Sequence, residues 1–130
     1  MFLLDTNILI YFFKGIGKVE QNLMSKAPKD IGMPAIVLFE IEVGIGKSKS
    51  PHKRIKQLSD LISVISVLPF GMKEARSAAQ IRVQLEKKGI LIGPMDILIG
   101  GTALAHQATL VTHNIKEFGR IKKLQLEDWY

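Results

Sequence analysis

Phe2-Leu-Leu-Asp-Thr-Asn-Ile-Leu-Ile-Tyr-Phe-Phe13 opens the chain with an apolar strand, an acid at the strand's end, and an apolar helical run. Phe2 to Leu4 is the strand, Asp5-Thr6-Asn7 offers helix-capping oxygens, and Ile8 to Phe13 continues as the helix. The alternation recurs. Ile31 to Met33 is a weak strand, followed by Pro34 in the first turn of a helix to about Ile45. Val64 to Leu68 is a β-branched strand closed by Pro69, Thr109 to Thr112 another strand, and Leu124 to Leu126 a last candidate. Helical stretches fall at Val19 to Ala27, Arg54 to Ile62, Gly71 to Lys88 and Met95 to Gln107, with a helical turn at Asn114 to Phe118. Strands alternating with helices predict a three-layer α/β/α fold around a mainly parallel sheet of four or five strands.

Composition bounds what such a fold can do. A chain of 130 residues predicts a single domain, 1–130. There is no cysteine, which excludes disulfides, thiolate zinc sites and cysteine nucleophiles. The three histidines make no HExxH pair. The longest apolar run, Ile8 to Phe13, is far too short to span a membrane and has no basic residue before it, so it is a poor signal peptide. The cytoplasm is the expected compartment. Lysine and arginine outnumber acids 18 to 12, and a net charge of +6 suits a polyanionic partner such as nucleic acid. Gly46-Lys47-Ser48 resembles the end of a phosphate-binding loop, but the required glycine at position 41 is Ile41.

The few acids carry more information than the many bases. In open α/β sheets, ligands bind beyond the carboxyl ends of the strands. Asp5 follows the first strand, Asp96 opens the apolar helix, and Glu117 follows the Thr109 strand. Each also has a local structural reading: Asp5 as an N-cap, Asp96 as a charge at the positive end of a helix dipole, and Asn114-x-x-Glu117 as a capping box. Glu40 lies inside the Pro34 helix on a face with Ile36, Val43 and Gly44. Glu42 shares its own face with Leu38, Phe39 and Ile45, so periodicity leaves the two glutamates open. Carboxylates gathered at one end of a sheet repel one another, and a hard divalent cation such as Mg²⁺ or Mn²⁺ relieves that repulsion.

The ordered blocks resemble a known family. Leu3-Leu4-Asp5-Thr6-Asn7 is similar to the opening of PIN-domain nucleases, and the rest of the chain resembles the VapC-type toxins of bacterial toxin–antitoxin pairs. Glu40-Ile41-Glu42-Val43-Gly44 resembles that family's E-L-x-x-G segment, which selects Glu40. Arg82-x-x-Leu85 through Gly93-Pro-x-Asp96 resembles the approach to its third acid. Thr102 to His106, Leu110 to Asn114, Glu117-Phe118 and Leu126 to Trp129 resemble its closing blocks. Gly100-Gly101 departs from the pattern, since relatives usually carry alanines there.

The resemblance implies a PIN-like fold and a Mg²⁺- or Mn²⁺-dependent endoribonuclease in which metal-activated water attacks an RNA phosphodiester. Its metal-binding acids fall on Asp5, Glu40 and Asp96, with either Glu117 or Asn114 completing the site. Structured RNA, tRNA above all, is the implied substrate, because several relatives act on anticodon loops. Arg82, Asn7, Thr112 and Asn114 are the implied substrate contacts. The basic residues Lys47, Lys49, Lys53, Arg54 and Lys56 read as a solvated face or as an RNA contact. A homodimer and a cognate VapB-like antitoxin are implied as well, with Tyr11, Phe12 or Phe13 as antitoxin contacts. Two other readings stay open: a PIN nuclease that processes RNA without an antitoxin, and a non-catalytic RNA- or protein-binding PIN module.

Overall fold

The computed structural model describes residues 1–130. Five strands form the sheet: β1 (Phe2–Leu4), β2 (Ile31–Pro34), β3 (Ser66–Leu68), β4 (Thr109–Val111) and β5 (Gln125–Glu127). All neighbours pair in parallel, in the order β3-β2-β1-β4-β5. Seven helices connect and cover them: α1 (Thr6–Lys14), α2 (Val19–Met24), α3 (Ala35–Gly46), α4 (His52–Ile62), α5 (Met72–Lys87), α6 (Pro94–Ala105) and α7 (Ile115–Phe118). Parallel strands need such crossovers, and their faces end up buried. Leu3 and Leu4 of β1 and Leu110 and Val111 of β4 have at most 1% of their surface exposed. From β1 the chain builds outward through β2 and β3, then returns to place β4 on the other side. The reversal falls between β1 and β4, the position at which open parallel sheets leave a crevice for ligands. No helix is long and apolar enough to cross a membrane.

Several boundaries differ from the sequence expectation for identifiable reasons. Pro34 does not lie in a helical turn. Its ψ of 142° is extended, it pairs with Leu68 as the last residue of β2, and it caps α3 from outside. A strand end tolerates its missing N–H. Val64 and Ile65 do not join β3, because both amides donate to the Leu61 carbonyl and remain in the turn after α4. Leu124 is likewise held in a turn by the Ile121 carbonyl, so β5 starts one residue later. Gln107, with φ at +51°, lies beyond the end of α6 rather than inside it.

The tightest helix contact is between α5 and α6. A Cβ on Gly101 would lie 2.6 Å from the Ala78 Cβ and 2.7 Å from the Ala78 Cα and N. The two backbones therefore approach as closely as a glycine permits. Gly100 is different: its nearest neighbour is the flexible tip of Ile121. The unusual glycine pair thus has one member that sets the packing of α6. At the C-terminal end of α6, His106 Nε2 lies 2.8 Å from Glu74 Oε2, while Glu74 also accepts from the Gly71 N–H at the start of α5. This pair ties the far end of the helix that carries Asp96.

Candidate active site

Asp5 caps α1 at the point where β1 ends. Its Oδ1 accepts from the Thr6 N–H at 2.8 Å, and its Oδ2 accepts from the Thr112 hydroxyl at 2.8 Å. Asp5 is only 4% exposed and Thr112 is fully buried. Thr112 Oγ1 in turn accepts the Asn114 N–H. The two strand ends that flank the crevice are thereby linked through one carboxylate. The Thr6 hydroxyl reaches the other way, donating to Glu40 Oε1 at 2.6 Å.

That bond sets Glu40 apart from Glu42 in the structure. The side chains of α3 that enter the core are Val37, Ile41 and Ile45. Glu40 flanks this stripe, half-buried against Thr6, and Glu42 is exposed. Glu40→Gln is expected to reduce cleavage about tenfold or more, whereas Glu42→Gln stays within about twofold, in a steady-state assay on one RNA. Glu117→Gln falls between them.

The other side of the crevice is built by α6 and α7. Glu117 Oε1 accepts the Gly93 N–H at 2.9 Å, and its Oε2 accepts from the Asn114 side-chain amide at 3.1 Å. The expected capping box is therefore absent. The Asn114 side chain makes no bond to the backbone of its own helix, and Glu117 also holds the start of α6, 24 residues away in sequence. A Cβ on Gly93 would lie 3.6 Å from Asp96 Oδ2 and 3.9 Å from Glu117 Oε1, which puts all three groups in one place.

Burial and mutual repulsion show in the proton affinities. Asp96 is pushed up to about 7, first by desolvation and then by Asp5, Glu117 and Glu40, and a hydrogen bond to Glu117 adds to the shift. Burial also raises Asp5, against the lowering effect of its bonds to Thr112 and Thr6. Glu117 is lowered, chiefly by the Gly93 N–H and then by Asn114. The donor set is entirely oxygen, which suits magnesium or manganese. No three acidic or histidine side chains close on a single point. Asp5, Glu40, Asp96 and Glu117 are the carboxylates around the crevice.

A carboxyl raised in the folded state binds its proton more tightly there than in the unfolded chain. Metal-free protein should therefore lose stability as pH rises from about 4 through 7 and level off above. Glu117 contributes the opposite slope, but only at and below its ordinary range, because its shift is downward. A cation competes with the proton, so Mg²⁺ should raise the melting temperature more at pH 8 than at pH 5. Differential scanning fluorimetry at both pH values checks this; an equal rise at both would contradict it.

The remaining expected contacts divide. Thr112 and Asn114 lie within the acidic site, as described. Asn7 is exposed on the first turn of α1 without a hydrogen bond of its own. Arg82 stays away from the acids, its side chain 71% exposed and paired with Glu86 at 2.8 Å. Its place on α5 explains this, since Ala78, Ile81 and Leu85 take the inward face. Of the aromatic triplet, Phe13 is core, with 5% of its surface exposed, so it offers no open ring; Tyr11 and Phe12 are half-buried. Thr6 and Gly93 are site residues that the sequence reading assigned no such role. The Thr6 signal is its place between Asp5 and Asn7, and that of Gly93 its place in the Gly93-Pro-x-Asp96 block.

The PIN domain model matches residues 2–124. The chain belongs to the PIN-domain family. Within it, this PIN domain is 37% identical to Ribonuclease VapC2 of Rickettsia felis, over 99% of this chain and 98% of that one. It is 32% identical to the tRNA(fMet)-specific endonuclease VapC of Salmonella typhimurium, covering 98% and 97%. Among solved structures, it superposes on VapBC2 of Rickettsia felis bound to a promoter DNA fragment with a TM-score of 0.92, at 38% identity and 99% and 98% coverage. The DNA-bound VapBC of Salmonella typhimurium also gives 0.92, at 32% identity and the same coverage. The PIN-like fold and the VapC resemblance are borne out, and this PIN domain is an endoribonuclease of the VapC type.

Proposed function

We propose that this VapC-type ribonuclease hydrolyses structured RNA, tRNA in particular, using Mg²⁺ or Mn²⁺, and that a VapB-like antitoxin silences it. The observation that carries the reading is the group of four carboxylates around the β1–β4 crevice in a chain of net charge +6. Such a pocket cannot attract an RNA phosphate by itself. A bound divalent cation would offset its charge and lower the pKa of a water. Asp5, Glu40 and Asp96 hold the cation, Thr112 and Thr6 orient two of those carboxylates, and Glu117 keeps α6 in register. The relatives named for tRNA(fMet) support tRNA as the substrate class.

A cleft of about 440 Å³ leads away from Glu40 between α1 and the α3–α4 segment. It is lined by Lys14, Lys53, Arg54, Ser48 and Ser50, a surface suited to RNA phosphates. A second groove of about 500 Å³ lies across α1, α2 and α4, with Phe12, Met24, Leu61 and Val64 on its walls. Met24 and Val64 are 67% and 57% exposed, and this is where we place the apolar segment of the antitoxin. The resemblance to VapBC complexes supports that partner, and the exposed Phe39 and Val43 on α3 offer apolar surface for a homodimer.

The test is cleavage of purified tRNA with Mg²⁺, with Mn²⁺ and with EDTA, with the product ends identified. Cleavage that stops in EDTA and leaves 5′-phosphate and 3′-hydroxyl ends is the expected result. Cyclic 2′,3′-phosphates, or full activity in EDTA, would remove the metal mechanism. Expression in a bacterial host should arrest growth, and co-expression of the neighbouring gene should restore it.

A further inference from the structure

We infer that Tyr11, His113 and Tyr130 form a nucleobase-binding subsite at the rim of the acidic site, a reading that rests on the ribonuclease function above. The His113 and Tyr130 rings stack with centroids 4.3 Å apart and planes 24° from parallel. Tyr11 meets both edge-on, 4.9 Å from Tyr130 and 5.8 Å from His113. Asp128 clamps the pair: one carboxylate oxygen lies 2.8 Å from His113 Nδ1, and the other accepts the Tyr130 N–H at 2.9 Å. The Tyr130 carbonyl accepts from the Lys18 N–H at 2.7 Å. Gly17 makes room for this residue, since a Cβ there would lie 2.7 Å from the Tyr130 carbonyl oxygen and 3.1 Å from its ring.

The rings are thus held in place from four segments of chain, yet they are not core. The His113 side chain is 44% exposed and Tyr130 is 46% exposed. Neither phenol hydroxyl bonds to the protein, and with Asp128 on Nδ1 the His113 Nε2 is free as well. A fixed, half-open aromatic stack with free polar tips is what unpaired RNA bases use, by stacking on rings and bonding along their edges. Its position gives it a role in cleavage. His113 stands between Thr112, which holds Asp5, and Asn114, which holds Glu117. The stack is one residue along the chain from both of these anchors, and on that ground a base bound there is placed near the bond being cut. The subsite fits a nucleotide turned out of a loop rather than one inside a duplex.

The experiment uses RNA stem–loops with a randomised loop, cut by wild type, His113→Ala, Tyr130→Leu and His113→Phe, with the cut ends sequenced. Tyr130 lies at the surface, so its variant tests the stack without disturbing the core, and melting temperatures confirm folding. Losing a stacking partner should lower kcat/KM by roughly 5- to 150-fold, mainly through KM, and flatten the base preference at one position beside the cut. His113→Phe should recover affinity by restoring the stack. An unchanged KM and base profile, with or without loss of antitoxin binding, overturns the subsite while leaving the ribonuclease reading in place. A second measurement separates the two readings. Stem–loops carrying 2-aminopurine at each loop position in turn are bound to the Asp96→Asn protein with and without the Tyr130 ring. Ring-dependent quenching at one position upholds the subsite even if wild type cuts none of these RNAs, a result that would count against the nuclease reading alone. No ring-dependent quenching overturns the subsite.

Discussion

Asp96→Asn should lower RNA cleavage by more than about 100-fold and, at pH 8 without metal, raise the melting temperature. Removing a residue that merely orients a metal ligand typically costs 10- to 100-fold, so removing a ligand should exceed that range. The stability gain has a separate origin. Burial and three neighbouring acids push Asp96 up to about 7, so at pH 8 its charge opposes folding. The asparagine is nearly the same size and carries no charge. Mg²⁺ should then stabilise the variant less than wild type, because one carboxylate charge is gone. Asp5→Asn should lose activity similarly, since an amide oxygen can still accept the Thr6 N–H and preserve the cap. Cleavage assays paired with melting curves check both, and an active Asp96→Asn protein would place the metal elsewhere.

The largest structural effect is expected at Gly101. Gly101→Val should destabilise the protein by about 3 kcal/mol or more, because the new side chain meets the Ala78 backbone rather than a side-chain tip. Gly101→Ala should cost less, as about 1 kcal/mol of helix propensity offsets part of the collision. Gly100→Ala should be neutral or stabilising, since only the end of Ile121 has to turn aside. Urea denaturation of the three variants gives the order directly. Because α6 carries Asp96, the Gly101 variants should also lose activity beyond what their unfolded fraction explains.

How far the sequence revealed the site depended on whether each residue's role was local. Asp5 and Asp96 could be found because each stands where a strand ends or a helix begins, and both positions leave a mark in a short window. Glu40 could not be separated from Glu42 by periodicity, because α3 is apolar on most of its circumference. What distinguishes them in the fold is a hydrogen bond from a hydroxyl 34 residues away. Glu117 reads both as a local cap and as a site acid. Its spacing from Asn114 suits a local cap, yet its partner is the Gly93 amide on another helix, which no local pattern records. Arg82 had small apolar neighbours in helical register, but the inward face of α5 was taken by Ala78, Ile81 and Leu85. The sheet itself was legible throughout; only its strand ends moved, where turn hydrogen bonds outcompeted β-branched composition.

The strand order also bears on when this molecule becomes dangerous during its own synthesis. β1 leaves the ribosome first and sits at the centre of the sheet, but its partner β4 begins only at Thr109. Thr112 and Glu117, which orient Asp5 and fix the start of α6, are made later still. A nascent chain, or one ended early by a stop codon before β4, holds at most three of the four acids and lacks the strand that organises them. Translation therefore sets an order: the acids of the crevice can be organised only after β4, Thr112 and Glu117 have been made.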